Sequence, residues 1–325
     1  MLIVHVGLAK TATTTLQRSV FPLLSSLKNL TYNPHEFIDL RRRKFIPTEN
    51  DYIKFKYFSE IEKKILLSAE GLVDYNPHYW EQAANRNLSL FGKNASIIIT
   101  IREPISYITS LYQQLIHEGN IINPDEFFVS NYQYKILRPW LSDRKLLRFD
   151  KDAFDLEFLI KLYKERFENV FVVTLENIGS MNFLNDIFNL SDIERVKLQN
   201  NYKKAKKSNV SYSSISMKLT FMREKFFNYL GFRSIGSQDY IPNIDINNIK
   251  GSLTINSEDI RKDKVYRKKF IIFKTWRWWM QNIINKFLPY KKYRISQTIT
   301  FNEDLIKKNR KLISRINDEK SSLQI

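Results

Sequence analysis

Leu2-Ile3-Val4-His5-Val6-Gly7-Leu8-Ala9-Lys10-Thr11-Ala12-Thr13-Thr14-Thr15-Leu16 is the stretch that decides the fold class. Its first five residues are short, mostly β-branched and stopped by Gly7, which reads as a buried strand. After the loop, Leu16, Val20, Leu23, Leu24 and Leu27 recur at helical spacing, with Pro22 placed to kink the helix. A tight passage from a strand's carboxyl end into a helix N-terminus exposes backbone N–H groups, and together with the helix dipole these favour an anion. Lys10 adds a point charge, and Thr11, Thr13, Thr14 and Thr15 add hydroxyl donors. That is more than an ordinary threonine cap requires.

Working outward, Ile65–Ala69 reads as a second strand ending at Glu70-Gly71, and Pro77 to Phe91 suits a helix. Ala95 to Ile101 is apolar nearly throughout, the pattern of a central parallel strand covered on both faces. Arg102-Glu103-Pro104 ends it, and Pro104 is suited to the first turn of a helix that stops at Gly119-Asn120. Asp155–Phe167 is an amphipathic helix and Val170–Leu175 another buried strand. Strands alternating with helices predict an α/β fold, a central parallel sheet flanked by helices. Residues 34–60, with Arg41-Arg42-Arg43-Lys44, read as an insertion, and 124–148 as short helices and loops. Past residue 200 the strand signal fades, and helices are expected near 214–229, 266–288 and 303–318. The expected division is an α/β core over 1–215 and a basic, mostly helical extension over 216–325.

Composition narrows the function classes. The chain has 325 residues and no cysteine, which excludes disulfides, thiolate metal sites and a cysteine nucleophile. Four histidines leave no multi-histidine metal centre, and no metal is expected. Residues 1–199 carry 25 Lys and Arg against 24 Asp and Glu, whereas residues 200–325 carry 27 against 10. Such asymmetry points to an anionic partner. No basic segment precedes the apolar start, and the best apolar run, Phe270 to Leu288, is interrupted by Lys274, Arg277 and Lys286. A cytoplasmic protein, peripheral at the inner membrane surface, is the expectation.

The nucleoside-triphosphate loop G-x-x-x-x-G-K-[ST] does not fit, because its two glycine positions before Lys10 hold Val4 and Ala9. A second segment adds to the first. In Arg102-Glu103-Pro104-Ile105-Ser106-Tyr107-Ile108-Thr109-Ser110, an arginine leaves a central strand and a serine follows eight residues later. An arginine fork and a short hydroxyl suit one phosphate.

Taken together, Gly7-Leu8-Ala9-Lys10-Thr11-Ala12-Thr13-Thr14-Thr15-Leu16 and the Arg102–Ser110 segment resemble the P-loop-like sulfotransferases that use 3′-phosphoadenosine 5′-phosphosulfate (PAPS). The first resembles that family's 5′-phosphosulfate loop, with Ala12 in place of a glycine; the second resembles its 3′-phosphate motif. The resemblance covers about residues 1–215. It implies that Gly7, Lys10, Thr11, Ala12, Thr13, Thr14 and Thr15 hold the 5′-phosphosulfate and that Arg102 and Ser110 hold the 3′-phosphate. It further implies that Lys10 assists the leaving phosphate oxygen, and that Lys207, Ser208 and Asn209, within Lys203–Ser211, close over the nucleotide end. Val172–Asn177 resembles the family's late strand, with Glu176 as a structural cap.

Two residues compete as the base that accepts the acceptor's proton. The resemblance points to the position just after the second core strand, where Glu70 stands. His117 is the rival: Ser106, Ser110, Gln113 and His117 form a polar stripe on one helix face, with a helix-end histidine as the plain reading. His5, inside an apolar strand, reads as core. The expected reaction is sulfuryl transfer from PAPS to a hydroxyl or amine, with a glycan or lipid-linked sugar as acceptor. A nucleotide kinase-like enzyme and a non-catalytic basic module for membrane or nucleic acid are the alternatives, nucleic acid being the less favoured. Arg267 to Met280, where aromatics interleave with cations, suits a membrane interface, stacking on sugars or a nucleic-acid surface, the plain reading being an amphipathic helix packed on the domain with a basic outer face.

Overall fold

Short runs of buried residues set the sheet. A computed structural model describes residues 1–35, 49, 52–53, 55–56, 64–117, 119–137, 148–205, 211–230, 275–318 and 323–324. Its strands are β1 (Leu2–His5), β2 (Thr31–Tyr32), β3 (Ile65–Ser68), β4 (Ser96–Ile101), β5 (Phe128–Val129), β6 (Phe149–Asp150), β7 (Asn169–Thr174) and β8 (Leu323–Gln324). Five of them form a parallel sheet in the order β2-β3-β1-β4-β7, and β8 adds an antiparallel edge beside β7. All six residues of β4 are buried, as a central parallel strand requires.

Contacts between Cα atoms divide the chain into two compact units, each assembled from separated segments. The first comprises residues 1–104, 153–208 and 303–325, and the second residues 105–152 and 209–302. The sheet belongs to the first unit. On one face, Ile3, Leu66, Ile98, Phe171 and Val173 meet Leu16, Val20, Phe21, Leu24, Leu184 and Leu198 from the covering helices. The other face is covered by helices Leu156–Lys164 and Glu303–Asp318, the first against β4 and β7 and the second against β7.

The C-terminal helix is tied into this unit by polar contacts. Buried Asn309 donates from Nδ2 to the Phe154 carbonyl and accepts from the Leu156 amide, both at 2.8 Å. Lys308 bridges Asp155 and Glu157 at 2.8 and 3.0 Å. Asp155 also caps helix Leu156–Lys164, accepting from the amides of Glu157 and Phe158.

The helix after the first loop is not uniform. An α-turn over Thr13–Thr15 passes into a π-helical stretch, Leu16–Val20, and then into helix Phe21–Lys28. Pro22 has no N–H to return to the Arg18 carbonyl, so the expected kink takes the form of a widened turn before the proline.

The second unit contains helix Ile105–His117 beyond its first residue Pro104, the parallel pair β5–β6, and helices Pro124–Phe127, Asn131–Leu137 and Ser214–Tyr229. Tyr112, Phe127, Phe128 and Phe149 form its aromatic centre, and the Tyr112 hydroxyl donates to the Ile122 carbonyl at 2.5 Å. The helix expected at 266–288 is described from residue 275. Most of the 34–60 insertion lies outside the described residues. Among the described residues no helix is long and apolar enough to cross a membrane.

Candidate functional site

Strand order locates the site. β1 has β3 on one side and β4 on the other, so the chain reverses its direction of travel across the sheet at the β1–β4 seam. In open α/β sheets ligands sit outside the strands' carboxyl ends at such a switch point. The two segments leaving those ends are Val6–Ala12 and Arg102–Glu103.

The first segment begins as an extension of the ladder, with Val6 and Leu8 donating to the carbonyls of Ile98 and Thr100 at 2.9 and 3.3 Å. It then turns through two left-handed residues, Lys10 at φ 69° and Ala12 at φ 59°. Among the described residues, the backbone N–H groups of Ala9, Thr11, Ala12, Thr13 and Thr14 make no hydrogen bond. Five donors are thus presented at the mouth of a helix, the arrangement that holds an anion.

The four threonines divide in two. Thr11 and Thr13 are buried and turn inward, both donating to the Leu8 carbonyl, at 2.5 and 3.3 Å. They shape the loop. Thr14 and Thr15 are half-buried, and their hydroxyls have no acceptor among the described residues. Of the four, these are the hydroxyls that could meet a ligand.

Beneath the loop runs a buried polar chain. His5 Nδ1 is 2.7 Å from Ser68 Oγ, His5 Nε2 is 3.2 Å from Thr100 Oγ1, and Thr100 Oγ1 is 2.6 Å from Thr11 Oγ1. Gln17 Nε2 donates to Ser68 Oγ at 3.1 Å. The donor inventory orients most of the chain. Thr11 spends its hydrogen on Leu8, so Thr100 donates to Thr11 and His5 donates from Nε2 to Thr100. Burial lowers the imidazole pKa to about 3 and keeps it neutral, so Nδ1 is the acceptor and Ser68 donates to it. Gly7 completes the arrangement. A Cβ there would stand 2.3 Å from Thr100 Oγ1 and 2.7 Å from His5 Nε2, in the space of their hydrogen bond. The sequence places His5 in the core and assigns Ser68 and Thr100 no role; its one signal is a polar residue near the carboxyl end of each of three apolar strands, and the register of His5 with Ser68 comes from the sheet.

Arg102 reaches the same loop. Its Nη1 donates to the Lys10 carbonyl at 3.1 Å, which holds that left-handed residue in place. The fork's other N–H donors have no acceptor among the described residues. Burial lowers the guanidinium's pKa from its usual value, with Glu176 and Glu103 acting in the opposite direction. Glu103 itself points elsewhere, accepting at Oε1 from Arg310 Nη2 and Nε at 2.8 and 2.9 Å. Glu176 is exposed on the turn after β7. Glu70 opens the short 3-10 turn Glu70–Leu72 at the carboxyl end of β3, half-buried.

Ser110 and His117 stand in the second unit on helix Pro104–His117. Ser110 is half-buried. The lower part of the polar stripe meets Tyr212: Gln113 Nε2 donates to the Tyr212 carbonyl at 2.9 Å, and the His117 ring lies edge-on to the Tyr212 ring at 4.1 Å. His117 is buried, not exposed at the helix end. Lys207, Ser208 and Asn209 lie outside the described residues. Lys203 and Lys204 end helix Asp192–Lys204.

Among the described residues no group of three or more His, Asp and Glu side chains is placed to hold a metal ion. No protein-family model matches the chain, and no curated protein is significantly similar to it.

Proposed function

We propose that this chain transfers a sulfuryl group from PAPS to a hydroxyl or amine of an acceptor such as a glycan or lipid-linked sugar. One observation carries the reading: among the described residues the N–H groups of Ala9, Thr11, Ala12, Thr13 and Thr14 make no hydrogen bond, and they stand at the β1–β4 switch point in the loop that carries Lys10 and that a desolvated Arg102 contacts. Those donors suit the 5′-phosphosulfate. The Arg102 guanidinium suits the 3′-phosphate.

In the reaction, a bond forms from the acceptor oxygen to sulfur as sulfur's bond to the bridging phosphate oxygen breaks. The charge that develops on that oxygen is met by the Lys10 ammonium and the loop N–H groups, which need no rearrangement at that moment. The acceptor's proton passes to Glu70, which shares the first unit with the loop and follows a strand adjacent to β1. His117, packed against Tyr212, is the less suited of the two candidates.

Thermal unfolding with 3′-phosphoadenosine 5′-phosphate and with ATP tests this reading. Ligand at 100 times its Kd stabilises the native state by about 2.7 kcal/mol. The 3′-phosphorylated nucleotide is expected to raise the midpoint without magnesium, and ATP far less. A larger, magnesium-dependent shift with ATP would replace this reading by phosphoryl transfer.

A further inference from the structure

We infer that the exposed turn Lys286–Lys292 of the second unit docks on an anionic lipid surface. Its two ends are fixed. Asn285 Oδ1 accepts from the Ser213 amide and the Ser216 hydroxyl at 3.1 and 2.8 Å, and its Nδ2 donates to the Ser211 carbonyl at 2.9 Å. At the other end Ser214 donates from its amide to the Lys291 carbonyl at 2.8 Å, and Ser213 bridges Lys292. Between these anchors residues 286–290 are all exposed.

The content of this fixed projection is unusual for a water-facing turn. Phe287 is 77 % exposed, Tyr290 51 % and Leu288 41 %, while Lys286, Lys291 and Lys292 flank them, also exposed. An apolar apex bracketed by lysines suits a bilayer interface, with Phe287 and Leu288 entering the acyl boundary, Tyr290 at headgroup depth and the ammonium groups on anionic headgroups. The two segments that carry and anchor it have the same sign: residues 211–230 and 275–302 hold eight Lys and Arg against one acidic residue, Glu224, with Asp125 acting on neighbouring Tyr293 from another segment. That balance attracts an anionic surface and opposes docking of a second copy through the same face. A nucleic acid would take the lysines but leave the Phe287–Leu288 apex without a partner.

The test is co-sedimentation of the full chain with phosphatidylcholine vesicles with or without phosphatidylglycerol, and needs no nucleotide. Binding is expected to vesicles containing phosphatidylglycerol, weakening at high salt. The Phe287→Ser/Leu288→Ser variant is expected to lose at least tenfold in affinity, and the Lys286→Gln/Lys291→Gln/Lys292→Gln variant on the order of fivefold per lysine. Both replace exposed side chains, so their thermal midpoints are expected to match the parent's. Three results would each overturn the inference: no sedimentation with phosphatidylglycerol vesicles at low salt, binding undiminished in the serine variant, or a change of oligomeric state in that variant. Single-stranded DNA held more tightly than vesicles, and equally by parent and serine variant, would assign the face to nucleic acid instead.

Discussion

His5 Nε2 lies 3.2 Å from Thr100 Oγ1, and the residue that would stand between them is Gly7. The glycine nearest the loop is therefore explained by what lies under it. Its φ is not in the left-handed region; a side chain there would displace the hydrogen bond joining β1 to β4, on which Thr11 and hence the loop rest. Under the proposed function, this support would hold the loop's donors in place before the reaction, as preorganised catalysis requires.

Gly7→Ala is expected to destabilise the fold by about 1–3 kcal/mol, the range for overpacking a filled interior. Urea unfolding measures this. A variant as stable as the parent would show that Thr100 and His5 can separate without cost.

Stability is expected to fall as pH drops through His5's range. The unfolded histidine has its ordinary pKa of about 6.5, whereas the folded one is lowered to about 3 by burial. Between those values the unfolded chain binds the extra proton, so each pH unit lost costs about 1.4 kcal/mol. Glu194, held at about 2 chiefly by its hydrogen bond to Lys28, adds acid sensitivity only below about pH 4.5. His5→Gln keeps an N–H for Thr100 and cannot titrate. The difference in stability between parent and variant from pH 6.5 to 4.5 isolates the histidine, and identical slopes would show that its pKa is not lowered.

Ala12→Gly is expected to leave stability unchanged or raise it by up to about 1 kcal/mol. At φ 59° an L-residue carries about 1–2 kcal/mol of backbone strain, part of which the more flexible unfolded glycine offsets. Ala12→Val is expected to destabilise, because β-branching makes the same region harder to reach. A destabilised glycine variant in calorimetry would mean that the Ala12 methyl group contributes more through packing than its backbone costs.

If the sulfuryl-transfer reading holds, Lys10→Ala is expected to lower turnover by about 10²–10³, or 2.7–4 kcal/mol, with much less effect on nucleotide affinity. Unchanged turnover removes Lys10 from the chemistry.

Arg102→Ala is expected to weaken 3′-phosphoadenosine 5′-phosphate by about 1.5–3 kcal/mol, the scale of a charge-assisted hydrogen bond. Adenosine 5′-phosphate, with a 3′-hydroxyl, is expected to be little affected, and Arg102→Lys to restore only part of the loss. Titration calorimetry with both nucleotides decides; equal losses would assign Arg102 to support of the Lys10 carbonyl alone.

By itself the sequence determined the α/β class, because strands buried on both faces leave nearly unbroken apolar runs, as in Ile97–Ile101, and helices leave a 3.6-residue period. It also marked the Lys10 loop and Arg102 as candidates, each a charged position following such a run at the carboxyl end of a strand. The two-residue strand β2 and the β5–β6 pair escaped it, since no period can be read from two residues. The division of roles among the threonines escaped it too: Thr11, Thr13, Thr14 and Thr15 are alike as letters, and only the curl of the loop turns two hydroxyls inward. The polar chain from Gln17 to Leu8 joins residues up to 95 positions apart, so the pairing of His5 with Ser68 and Thr100 exists only once β3, β1 and β4 are side by side. Likewise the helix Glu303–Asp318 looked like part of a basic tail, and it was the hydrogen bonds of Asn309 to the backbone at Phe154 and Leu156 that seated it beside the sheet. Local periodicity is written along the chain; the contacts that build the site are made across it.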